Sequence, residues 1–214
     1  MPKLKIKGLT LEKMEAGKLK KDIPEFYELD QIIENNPWHN RESVFKHSLS
    51  VAKELKKLIK KASQKIKVYL DQIIAIYSRK ELLLLAAFFH DIGKKETFKQ
   101  ENNSTKCLQH EEKSAEKLRH FLPKFNLPAE EKKLVIEVVR NHGFFHDLLD
   151  CPKRNLEEKL KEFKRNNTQI FLEVVLLSMA DILGSQLKEN KPGEFNFRIN
   201  FLKKIIQTKT PQKS

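Results

Sequence analysis

His47, His90, Asp91, His110, His142 and Asp181 are of the types that bind divalent ions, and most stand where a helix would turn them inward. Val44, His47, Val51, Leu55 and Leu58 recur at steps of three and four, which sets His47 within an apolar helical stripe. The run Leu82 to Phe89 is apolar on every side and ends directly in His90-Asp91. Val135, Val138 and His142 continue the same stepping, as do Ile170, Val174, Leu177 and Asp181. A buried carboxylate without a partner is very costly and a lone imidazole less so, hence these groups call for partners. Imidazoles and carboxylates converging from several helices form the ligand set of a hard-to-borderline divalent metal. His110 belongs to a more polar helix, but Ser114 and Ala115 leave room there for a close approach.

Helices must carry these residues, and the breakers mark where they start and stop. One helix is predicted from Pro24, a favoured first-turn residue, to about Glu34, where Asn35, Asn36 and Pro37 end it. The helix of His47 is expected over Arg41 to Ala62, an amphipathic stretch over Ile66 to Tyr77, and a buried helix over Lys80 to Asp91, closed by Gly93. Lys94 to Gln109 reads as an irregular polar loop beside the site. Further helices are expected over His110 to Leu122, Ala129 to Asn141, Asn155 to Phe163, Thr168 to Leu187 and Phe195 to Ile206. Pro123, Pro128 and Pro152 fall between elements. No alternating strand pattern, internal repeat or interdomain linker is present, so the expectation is an all-α fold in one domain. Residues 1–22 read as a basic arm with little core of its own, 23–207 as the helical domain, and 208–214 as a polar tail.

With 214 residues, 39% of them hydrophobic and 14 of them Phe, the chain can bury a core of its own. No apolar run approaches the roughly 18 residues that a membrane span needs. The start, MPKLKIKGLT, lacks the apolar centre of a signal peptide, which makes a cytoplasmic protein the expectation. Cys107 and Cys151 lie far apart without CxxC spacing and are read as reduced thiols. The net charge of +13 comes from lysines near both termini and in Lys56 to Lys67. Such surfaces attract phosphorylated metabolites and, weakly and without sequence preference, RNA. Lysines spaced along amphipathic helices also simply solvate an outer face, and no aromatic-interleaved RNA-reading motif accompanies them.

FFHDIGK, with a helical His upstream and a distant Asp, resembles the HD-domain metal-dependent phosphohydrolase superfamily. QHEEKSAEKL and VVRNHG are similar to the HD domains of bacterial CCA-adding and poly(A) polymerase-like enzymes, here standing alone. The resemblance spans about 37 to 187. It implies an all-helical bundle with a central cleft for one or two divalent ions, of Mn, Ni, Co, Mg, Zn or Fe. By resemblance, His47, His90, Asp91 and Asp181 would bind the first ion. His110 and His142 would bind a second, with Asp91 shared between them. Lys94 stands at the lysine of the superfamily's HDxGK pattern, where a cation would hold a phosphate oxygen or assist the leaving group. No GYP triplet follows, which argues against a cyclic-di-GMP phosphodiesterase.

The remaining candidates are weaker. His39 is expected to pack with Trp38, His120 to be solvated, and Phe144 and Phe145 to cover a core. His146 stands on a loop that could touch substrate. Glu111 either orients a ligand histidine or simply favours a helix N-terminus. Asp91 and Lys94 are the expected catalytic pair of a phosphohydrolase that cleaves a phosphate ester of a small molecule, a nucleotide or an RNA end by metal-activated hydroxide attack. Within that class a phosphomonoesterase and a 2′,3′-cyclic phosphodiesterase both stand. A basic RNA- or nucleotide-binding module with a structural metal, and a di-iron HD oxygenase, share the ligand set and remain open at this point.

Overall fold

The computed structural model describes residues 3–150 and 155–208; Cys151 and the tail from residue 209 lie outside them. In chain order the elements are α1 (Leu11–Glu15), α2 (Pro24–Tyr27), β1 (Ile33–Asn36), β2 (His39–Ser43), α3 (Val44–Lys61), α4 (Gln64–Leu70) and α5 (Arg79–Phe89). There follow α6 (Lys94–Thr97), β3 (Phe98–Glu101), β4 (Ser104–Cys107), α7 (His110–Phe121), α8 (Ala129–Arg140) and α9 (Phe144–Asp150). The last four are α10 (Leu156–Asn166), α11 (Phe171–Gly184), α12 (Leu187–Asn190) and α13 (Pro192–Thr208). The fold is all-α, with two two-stranded hairpins as its only sheets among the described residues.

α3 starts where the Ser43 hydroxyl accepts from Lys46 N, and it buries Val44, His47, Val51, Ala52 and Leu55 along one face. α5 starts in a capping box of Ser78 and Glu81 and is buried from Leu82 onward save for the partly covered Leu84. α11 packs along α3, α5 lies against both α3 and α8, and α7 packs on α8. Glycine sets the closest of these approaches. A Cβ on Gly184 would stand 2.8 Å from Val51 N, so α11 and α3 meet nearly backbone to backbone and bring Asp181 beside His47.

Beneath the site, Phe89 is fully buried against Phe26, Phe121 and Phe125, with ring centroids 5.4, 4.7 and 6.2 Å away. Phe89→Ala is expected to cost about 3–5 kcal/mol, a large share of the roughly 5–15 kcal/mol that holds a domain together. Urea unfolding measures this, and a loss under about 1 kcal/mol would mean that the aromatic cluster is not a cooperative part of the core.

Several elements differ from the sequence-based expectation. The helix from Pro24 lasts one turn, passes through a 3₁₀ turn over Glu28–Gln31, and gives way to β1. β1 pairs antiparallel with β2, with an irregularity between Glu34 and Asn35 and a positive φ of 54° at Arg41. The presumed loop Lys94 to Gln109 contains α6 and the β3–β4 hairpin, whose turn residues Asn102 and Asn103 both have positive φ. Two left-handed residues in a two-residue loop suit the right-handed twist of paired strands, and asparagine tolerates them. Strands of four or five residues carry too little alternation to stand out from their neighbours. The two hairpins are joined by Asn35 N donating to Thr105 Oγ1 at 2.7 Å. α9 occupies part of the segment after Gly143 that read as loop.

Residues 3–22 are not a free arm. Met14 is fully buried, Ile6 nearly so, and Leu4 N donates to Lys124 O at 2.9 Å. The apolar residues among the lysines there were too few to reveal a packed segment. No helix among the described residues is long and apolar enough to cross a membrane.

Candidate metal centre

Three helices and two turns deliver the six residues expected at the site to one point. α3 brings His47, the turn after α5 brings His90 and Asp91, α7 opens with His110, the turn after α8 holds His142, and α11 brings Asp181. His47, His90, Asp91 and His142 are at most 1% exposed. Asp91 stands between two groups. Its Oδ2 is 3.1 Å from His90 Nε2 and 3.6 Å from His47 Nε2. Its Oδ1 is 3.2 Å from His110 Nε2 and 3.6 Å from His142 Nε2. Asp181 Oδ1 completes the first group, 2.8 Å from His47 Nε2 and 3.8 Å from His90 Nε2.

Main-chain carbonyls aim three of these rings. The Nδ1 atoms of His90, His110 and His142 donate to Ala87 O at 3.0 Å, Cys107 O at 2.8 Å and Val139 O at 2.6 Å. With Nδ1 carrying the proton, Nε2 presents a lone pair, which is how a ligand histidine is usually held. His142 is fixed further by Ser178 Oγ, which donates to its carbonyl at 2.7 Å.

Electrostatics follow from burial. Burial works to raise the Asp91 carboxyl, but His90, Lys94 and the neighbouring His110 and His142 hold it well below the usual carboxylate range. Asp181 is likewise depressed against burial by a hydrogen bond from His146 and by the adjacent His47. Burial lowers His90. His142 is also disfavoured by burial, yet the adjacent Asp91 raises it to about 9. The buried region therefore concentrates negative charge that only cations satisfy.

The residues fit a divalent metal on that chemistry and on their unmet hydrogen bonds. Both oxygens of Asp91, both ring nitrogens of His47 and Nε2 of His90 are buried with no partner in hydrogen-bond geometry. Orphaned groups of this kind are rare in folded proteins and call for an explanation. Donor atoms of His47, His90 and Asp181, of His90, Asp91 and His142, and of His110, Glu111 and His142 lie close enough to share an ion. An imidazole and carboxylate set of this kind suits several divalent metals.

Other residues stand differently from expectation. His39 does not pack on Trp38. It is buried between two glutamates, with Nδ1 2.9 Å from Glu42 Oε2, Nε2 3.6 Å from Glu34 Oε2, and its ring 4.4 Å from that of His47. Trp38 instead meets the ring of His146 and the guanidinium of Arg198. His146 lies on α9 with Nε2 3.0 Å from Asp181 Oδ2. Lys94 is buried, with Nζ 2.7 Å from Glu34 Oε2 and 3.0 Å from Asp91 Oδ2. Glu111 is 3.4 Å from His110 Nδ1 and lines the cleft. Phe145 is fully buried and Phe144 stacks on Phe163 at 3.6 Å, so both belong to the core, and His120 is exposed. Cys107 lines the cleft with its thiol pushed up to about 12 by burial, which leaves it a poor nucleophile.

Glu34 and Glu42 are not visible in the sequence, because Glu34 falls at the end of one predicted helix and Glu42 at the start of the next. The only trace is HNRESVFKH itself, where Glu42 stands five residues before His47.

The cleft over the centre has a volume of about 320 Å³ and opens past Asn36, Trp38, Asp150 and Lys191. A larger cavity, about 780 Å³, lies between the α4–α5 turn, α8 and the α10–α11 turn, and none of the six residues lines it. No curated protein matches the chain. A family model described as the HD domain matches residues 44–185, a span that contains all six of these residues, and the chain belongs to the HD domain family.

Proposed function

We propose that this protein is a phosphohydrolase that uses two divalent ions to cleave a phosphate ester of a small molecule, a nucleotide or an RNA end. Membership in the HD domain family supports the coarser statement, a metal-dependent hydrolase. One observation carries the finer reading: Asp91 turns one oxygen to His47 and His90 and the other to His110 and His142. A single shared carboxylate between two imidazole groups suits a pair of ions better than a lone structural ion.

Divalent ions held there supply Lewis acidity and an acidified water nucleophile. The chain's own residues do the rest. Carbonyls of Ala87, Cys107 and Val139 keep three Nε2 atoms aimed inward. Glu34, His39, Thr105 and Cys107 of the two hairpins wall the cleft, and a lower dielectric beside buried walls strengthens charge interactions. Asn36, Trp38 and Lys191 stand at the mouth, where the organic part of the ester would lie. A cleft of about 320 Å³ suits a mononucleotide or the last residue of a chain better than a duplex. QHEEKSAEKL and VVRNHG favour RNA-end chemistry within this class.

The test is metal analysis followed by a panel of an aryl phosphate, nucleoside monophosphates and 2′,3′-cyclic nucleotides, run after loading with manganese, nickel, cobalt or magnesium. Turnover that needs the metal and vanishes with chelator is expected. Tight metal binding with no turnover of any ester would sink the hydrolase reading in favour of a binding module or an oxygenase.

A further inference from the structure

The ammonium of Lys94 is shared between two carboxylates of unequal standing. It is 3.0 Å from Asp91 Oδ2, the oxygen that faces His47 and His90. It is 2.7 Å from Glu34 Oε2, on a strand that has no other part in the ligand set. Lys94 is 6% exposed and Glu34 3%, so neither charge is screened by solvent. A buried ammonium that close to a ligand oxygen repels any divalent cation at the same oxygen, and low dielectric magnifies the effect. A compensating carboxylate is therefore required for the oxygen to remain a usable ligand.

Glu34 arrives at this place through a device of the hairpin. The β1–β2 register shifts between Glu34 and Asn35, and Arg41 opposite has a positive φ. Irregularities of this sort re-aim side chains and recur beside functional sites. Glu34 also stands directly across from Glu42 in the ladder, an arrangement of like charges that destabilises a sheet. Apolar packing offers no reason to bury a carboxylate here.

We propose that Glu34 is a positioning residue of the metal centre: by pairing with Lys94 it balances and anchors the ammonium beside Asp91 Oδ2, and so keeps that oxygen available to an ion. This rests on the two-ion reading above. The Lys94 side chain, expected from the sequence to meet phosphate, becomes one half of a neutral pair that supports Asp91.

The test is calorimetric titration of Mn²⁺ into metal-free wild type, Glu34→Gln, Lys94→Met and the double variant. Glu34→Gln is expected to weaken Mn²⁺ binding about 10-fold or more, the scale on which outer partners act. The double variant, again charge-balanced, is expected to return to within about 3-fold of wild type, which two independent sites would not do. Wild-type affinity in Glu34→Gln overturns the proposal, as does a weakening that persists in the double variant. Glu34→Asp, which keeps the charge, is expected to bind within about 3-fold of wild type. A loss there as large as in Glu34→Gln would make side-chain shape the cause and overturn the pairing argument. Wild type that takes up no Mn²⁺ brings down the two-ion reading and this proposal together, a result distinct from all the others.

Discussion

Asp91→Ala is expected to abolish metal-dependent turnover and to weaken both ions at once. Asp91 stands beside His47 and His90 through Oδ2 and beside His110 and His142 through Oδ1. Its loss also leaves four imidazoles converging on a hole with no central negative charge, a poor environment for a dication. Loss of an outer partner costs about 10–100-fold in affinity or activity, so removal of the central carboxylate should exceed about 100-fold. Activity and metal content should be measured on the same preparation, beside a urea curve that shows the variant folded. Retention of wild-type turnover in folded Asp91→Ala would place the chemistry elsewhere. By contrast, His47→Ala strips only one group, so the two variants separate a shared role from a local one.

Gly93→Ala should divide the two groups without touching any ligand atom. A Cβ at residue 93 would stand 2.3 Å from Ser114 N and 2.6 Å from Lys113 C, distances that backbone must yield to. Gly93 N now donates to Ser114 Oγ at 2.9 Å, which fastens the turn carrying His90 and Asp91 to α7. Pushing α7 back moves His110, its first residue, away from Asp91 Oδ1. Overpacking of this kind costs about 1–3 kcal/mol of stability, and a backbone clash lies at the upper end. The expected result is a lower melting temperature together with selective weakening of one of two metal equivalents. His47 and Asp181 are held instead by the α3–α11 contact, and their group should keep its ion. Two equivalents bound as in wild type would show that α7 does not set the geometry of the second group.

The residues of the site were legible because burial and chemistry conflict along the chain. His47 interrupts the stripe of Val44, Val51 and Leu55, and Asp181 the stripe of Ile170, Val174 and Leu177, and periodicity exposes such interruptions. His90-Asp91 stands out because it ends an unbroken apolar run. Neither hairpin was legible, and Glu34, Glu42 and the inward turn of His39 were hidden with them. Strand pairing is a contact between segments, and four-residue strands leave almost no local mark of it. The turn at Asn102-Asn103 was the one readable signal, since paired asparagines favour the left-handed conformation.

The sequence by itself determined the all-α class and which residues are candidate ligands, because helical burial repeats every three to four residues and apolar stripes leave few alternatives. Only the tertiary structure decided which ligands share an oxygen of Asp91, that Lys94 is paired with Glu34, and that residues 3–22 are packed against the domain. Those facts depend on distances between segments far apart in the chain, set by close approaches at Gly93 and Gly184 and by a register irregularity in β1, and no local pattern encodes such distances.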